Sequence, residues 1–136
     1  MEPLEALRAK ISGFPGYGGE LERRRADEYV RAYLGEALAG LGARLSLAPE
    51  LRQRLDELTL RVAFADQRAF AEHRGAAEEE AGDGSGAVAR ADAATVALAD
   101  RASAVDAGSA PRFLDEVTAL LDERESAMRA AALKMA

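Results

Sequence analysis

The residues best equipped for chemistry lie close together near the N-terminus. Gly13, Pro15, Gly16, Gly18 and Gly19 form a glycine-rich loop around Phe14 and Tyr17, and the segment that follows carries Arg23, Arg24 and Arg25, then Asp27 and Arg31. Such loops hold phosphate when their backbone N–H groups converge at a helix N-terminus, where the macrodipole also favours an anion. The mononucleotide version needs a preceding strand and a Gly-Lys-Ser/Thr ending, and the dinucleotide version needs a βαβ unit. This sequence offers no strand pattern before the loop, and no lysine or hydroxyl where the motif requires them. What survives is a site for an anionic small molecule built from Tyr17, Arg23, Arg24, Asp27 and Arg31.

A structural reading competes with that site and is favoured by the spacing. Asp27 stands four residues after Arg23 and four before Arg31, so all three share one helix face. They make an ion-pair ladder worth about 0.2–0.5 kcal/mol per pair. Three arginines in a first helical turn oppose the macrodipole, a cost that Glu20 and Glu22 partly offset. On this reading the loop is a hinge.

The segment "ISGFPGYGGELERRRADEYVR" resembles a motif of an uncharacterised family of small bacterial helical proteins. Ile11, Gly13, Phe14, Gly16, Tyr17, Arg23, Arg24, Asp27 and Arg31 carry the resemblance, which covers about a sixth of the chain. It implies that loop and arginines act as one unit, and it implies no activity.

The remaining candidates are weaker. A di-iron bundle site needs Glu-x-x-His on two helices; the one histidine, His73, is preceded three residues earlier by Phe70. His73 reads as a helix-end residue favourable to the dipole. The acidic run Glu78, Glu79, Glu80 and Asp83 misses the calcium-loop spacing, and Arg90 falls where the bidentate glutamate belongs. It reads as a solvated linker. The chain has no cysteine, which excludes disulfides and thiolate metal sites. We expect no metal and no cofactor. The net charge is −6, with the negative surplus wholly after residue 45, a poor basis for binding a phosphate backbone. "MEPLEALRAK" lacks the apolar core of a signal peptide, and no run is long enough for a membrane span. A cytoplasmic protein is the expectation.

The elements that must position these residues are helices. Alanine, leucine, glutamate and arginine dominate, and strand-forming residues are scarce. Periodicity predicts five helices: about Pro3–Ile11, Glu20–Leu45, Pro49–Arg74, Ala87–Ala107, and Pro111 to the end. Gly75 to Gly86 reads as a flexible acidic linker. Ser109 is placed to cap the last helix. The simplest assembly is one all-α domain, a four-helix bundle of two helical hairpins plus the short N-terminal helix.

Several charges occupy places where the apolar seams call for leucine. Asp27 continues the second helix's seam back from Val30, Asp66 lies near the third helix's seam, and Arg124 stands between Leu121 and Met128. We expect Asp27, Asp66 and Arg124 to meet in a buried polar cluster bordered by Tyr29 and Tyr33, because an unpaired buried charge costs several kcal/mol, about 3–5. The third helix also carries a second apolar stripe containing Leu60 and Phe64. A helix apolar on two sides needs two partners, and the N-terminal helix is the expected cover; left bare, Leu60 and Phe64 mark an interface. The function expected from these features is a non-enzymatic helical interaction module, binding a protein partner or forming a homo-oligomer. The alternative is an anion-binding bundle, possibly an enzyme, with its site at the glycine loop.

Overall fold

The computed structural model of the protein describes residues 2–65, 67–72 and 86–133. Among them the chain is all-helical and contains no strand. The helices are α1 (Pro3–Lys10), α2 (Glu20–Arg44), α3 (Pro49–Phe64), α4 (Arg68–Glu72), α5 (Ala87–Asp100) and α6 (Ala110–Leu133), with a 3-10 turn, Arg101–Ala104, continuing α5. Asp66, His73, the acidic run and most of the expected linker lie outside the described residues.

Local chemistry sets the helix boundaries. Pro3 and Pro49 occupy first turns, where the missing N–H costs little. Ser109 does not cap α6 with its side chain: its hydroxyl accepts from the Asp106 N–H at 3.1 Å, while Asp106 Oδ1 accepts from the Ser109 N–H at 2.8 Å, closing a tight turn.

The third helix is shorter than its periodicity implies. Ala65 leaves the helical region (φ −61°, ψ 126°), and the chain resumes as the short α4. Neither glycine nor proline marks this break. A side chain on another helix satisfies the carbonyls at this end: Arg31 Nη1 donates to those of Val62 and Ala63 at 3.3 and 3.1 Å. The turn lets Phe70 bury completely against α1, α2 and α6 residues.

Helix α2 packs antiparallel to α3, with Gly42 facing Leu55 and Arg52, and Gly35 facing Val62. α5 packs against α6, and α6 also packs against α3. Ion pairs run along the α3–α6 contact, from Arg54 to Asp115 at 2.6 Å and from Arg61 to Asp122 at 2.7 Å, so those two helices point the same way. α2 and α5 are likewise in contact. One apolar cluster, centred on Leu38, Leu55, Val62, Leu114 and Val117, fills the end where both hairpins turn.

A second cluster fills the other end, and α1 supplies much of it. Leu4, Leu7, Ile11, Phe14 and Tyr17 are buried with Val30, Phe70, Val88, Val96 and Met128. The expectation that α1 covers the outer stripe of α3 is therefore corrected: α1 lies on α5. It is α5 that is apolar on two sides, with Val88, Ala89, Ala91, Val96, Leu98 and Ala99 all buried, and so takes two sets of neighbours. Its small side chains allow α1 to approach closely. Leu60 and Phe64 remain 57% and 79% exposed.

Candidate functional site

The polar residues buried at the α1 end form one connected chain of bonds. Arg124, projecting from α6 and only 3% exposed, donates through Nη2 to Asp27 Oδ1 at 2.8 Å and through Nε to Asp92 Oδ1 at 2.6 Å. The other Asp27 oxygen accepts from Arg31 Nε at 3.0 Å. The other Asp92 oxygen accepts from the Tyr17 hydroxyl at 2.5 Å. The order Arg31, Asp27, Arg124, Asp92, Tyr17 thus alternates cation and carboxylate and ends on a phenol. It ties α2, α5, α6 and the glycine loop together.

The loop is folded to deliver Tyr17. Gly13 and Gly16 adopt φ of 77° and 84°, a region that side chains with a Cβ rarely enter. A Cβ on Gly16 would also stand 3.2 Å from Arg8 Nη2. The two turns carry Phe14 and Tyr17 inward, edge to face at 5.8 Å. Tyr17 ends 1% exposed, with its hydroxyl on Asp92.

The first arginine of the run faces inward as well. Arg23, 3% exposed, donates to the carbonyls of Ala71 at 3.1 Å and Tyr17 at 3.4 Å, so it fixes both α4 and the loop. Arg24 stays at the surface with Glu20 at 3.0 Å and Glu72 at 3.6 Å. Of the residues expected to cluster, Arg124 and Asp27 meet, and Asp66 lies outside the described residues. The expected border of Tyr29 and Tyr33 is corrected: Tyr17 supplies the phenol, Tyr33 bonds Asp100, and Tyr29 is 41% exposed.

Asp92 is the member that sequence reasoning missed. The seam traced through Val88, Ala91 and Thr95 skips it, although Val88, Asp92 and Val96 stand at i, i+4 and i+8 on the helix's second buried face. An acid in the middle of an alanine-rich helix was the available signal. Complete burial pushes the Asp92 carboxyl above its ordinary range, against the opposing pull of Arg124 and the Tyr17 hydroxyl; the Asp27 charge adds to the rise. Burial works against the Arg124 cation too, but the charges and hydrogen bonds of Asp92 and Asp27 outweigh it and hold its pKa above the usual arginine value.

The bonds of this arrangement run between helices and from a helix to the glycine loop. Asp92 is wholly buried and both its oxygens are occupied, and among the described residues no Ser or Thr hydroxyl bonds to it. No group of three metal-ligating side chains occurs among the described residues, and none of the described helices is long and apolar enough to cross a membrane. A pocket of about 200 Å³ at the break between α3 and α4 reaches the network and is bordered by Arg24, Asp27, Glu28, Arg31 and Arg68.

No protein-family model matches the chain, nor does any curated protein or solved structure.

Proposed function

We propose that the protein is a non-enzymatic interaction module: a cytoplasmic four-helix bundle that presents helix faces to protein partners or to further copies of itself. The cyclic contacts α2–α3–α6–α5 support the bundle, with α1 and α4 as added cover. The carrying observation is a contrast in how side chains are used. The buried arginines are engaged on carboxylates and carbonyls of the same chain, whereas Leu60 and Phe64, one turn apart on α3, face solvent opposite that helix's core seam. Apolar side chains paired on an outer helix face are what a partner surface requires. On this reading the loop and Arg23 serve as a fastening, since Arg23 donates to the Tyr17 and Ala71 carbonyls.

Light scattering across a concentration series tests this reading. Leu60→Glu combined with Phe64→Glu is expected to change the assembly size or the solubility. A monodisperse 14.4-kDa species, indifferent to the double substitution in both respects, overturns it.

One observation favours a second reading, anion binding: three guanidinium-bearing residues, Arg24, Arg31 and Arg68, border the pocket beside Asp27. An anion there competes with Glu20, Glu72 and Asp27 for those same groups. A thermal-shift screen with phosphate, nucleotides and dicarboxylates decides it. A ligand at 100 times its dissociation constant stabilises by about 2.7 kcal/mol, and no shift with any of them eliminates the reading.

A further inference from the structure

A groove of about 590 Å³ lies between α2 and the α5 end, with Ala37, Leu41, Ala99 and Ala102 in its floor and walls and Glu36, Gly40 and Arg44 along α2. Gly40 sits in the interior of α2 without a positive φ, where glycine is less favourable to the helix than alanine. Among the described residues nothing crowds that position. A Cβ there would meet no atom within 4 Å, whereas a Cβ on Gly42 would press on Leu55 at 3.1 Å and Arg52 at 3.2 Å. The space above Gly40 is open to the described residues, which leaves room for a second backbone to approach closely.

The charges beside Gly40 specify the visitor. Glu36 and Arg44 stand one turn before and one turn after it on the same face, about 6 Å away in each direction. Glu36 has no partner among the described residues. Arg44 is held in place by Nη2, which donates to the carbonyls of Ala102 and Val105 at 2.8 Å each, and its Nη1 and Nε make no bond among the described residues. Asp100, also on the groove, is already neutralised by Lys10 at 3.1 Å and bonded by Tyr33. The strip therefore reads minus, glycine, plus.

We propose that the occupant is a second copy of this chain, docked through α2 against α2 in antiparallel fashion about a two-fold axis at Gly40. In an isologous contact residue i meets j and j meets i. Antiparallel pairing about Gly40 sets Glu36 opposite the partner's Arg44 and Arg44 opposite the partner's Glu36, closing both charges at once. A parallel pairing would oppose like charges. Gly40 against the partner's Gly40 permits close approach, and the immobilised guanidinium offers its free edge to a carboxylate. This dimer rests on the interaction-module reading but uses a face different from that of Leu60 and Phe64, so the two fail separately.

Sedimentation of the full chain at graded concentrations tests the dimer. Gly40→Leu fills open space in a helix, so it should preserve the melt while abolishing the dimer. Glu36→Arg and Arg44→Glu, each alone, should weaken dimerisation by about tenfold or more, since exposed pairs become like-charge contacts. Mixing the two single variants should restore a heterodimer, because both cross-pairs are then complementary; the double variant should restore the homodimer. Because Arg44 also binds its own chain's carbonyls, the mixing experiment, rather than the single loss, is decisive. A wild-type chain that stays monomeric overturns the proposal. So does a dimer insensitive to Gly40→Leu, or one that mixing does not restore. Assembly lost on changing Leu60 and Phe64 but kept in Gly40→Leu overturns the dimer and leaves the module reading intact.

Discussion

Arg124 and Asp92 lie 32 residues apart in the chain and are joined inside it by a 2.6 Å bond from Nε to Oδ1. That bond crosses from α6 to α5, and the same guanidinium reaches on to Asp27 of α2. Burying three ionised groups is worthwhile only when each is answered by another, since desolvation rivals the Coulomb gain and a broken pair is worse than none. The network therefore contributes more to which helices meet, and in what register, than to how tightly they hold.

Removing the cation should be costly. Arg124→Met leaves two buried carboxylates facing each other and is expected to destabilise by about 3–5 kcal/mol. Adding Asp92→Asn to that background removes one uncompensated charge and should recover part of the loss. Denaturant unfolding of both singles and the double closes the cycle. Strict additivity would show that the two residues are not coupled.

Tyr17→Phe isolates the phenol. The ring keeps its place against Phe14, while Asp92 Oδ2 loses the donor at 2.5 Å. An unsatisfied buried acceptor costs about 1–3 kcal/mol. Tyr29→Phe, at a 41% exposed position, is the control and should fall within about 0.5 kcal/mol of wild type. Equal effects at the two positions would deny Tyr17 its part in the network.

How far these features were legible in the sequence follows from their range. Helix starts at Pro3 and Pro49 and the ends of α2 were readable because local chemistry sets them. Asp27 and Arg124 stood out because each interrupts a leucine seam. The end of α3 was not readable: the Arg31 guanidinium that answers its last carbonyls comes from 31 and 32 residues away, and the local pattern alone runs on to Ala69. Asp92 and the site of α1 docking escaped together, since alanines fill both faces of α5 and give periodicity little contrast to work with.

The α3 ending gives its own test. Arg31→Ala removes the donor to Val62 and Ala63 and one bond to Asp27. Charge-assisted bonds of this kind contribute about 1.5–3 kcal/mol when buried, and with Arg31 20% exposed at its side chain a loss of about 1–2 kcal/mol is expected. Hydrogen exchange should quicken at the α3 C-terminus and in α4 more than at the α3 N-terminus. Uniform quickening along α3 would mean that Arg31 does not hold this end.

Tyr33 should report its surroundings by titration. The hydrogen bond to Asp100, together with partial burial and the Asp100 charge, raises its pKa from 10.0 to about 12. Asp100 is correspondingly held below its ordinary value of 3.8, chiefly by the Tyr33 hydroxyl, with Lys10 assisting and partial burial opposing. The signs follow from linkage. Tyr33's contribution to stability is complete below pH 10 and lost as pH rises through about 12. The Asp100 contribution is present above its unfolded value of 3.8 and lost as pH falls through its lower folded value. Phenolate absorbance should show a component near 12 that vanishes in Tyr33→Phe and moves toward 10 in Asp100→Asn. With the carboxylate gone, only partial burial remains to favour the protonated phenol. An Asp100→Asn titration identical to wild type would mean that the pair is not formed in solution, and with it the contact that links α2 to the end of α5 beside the groove.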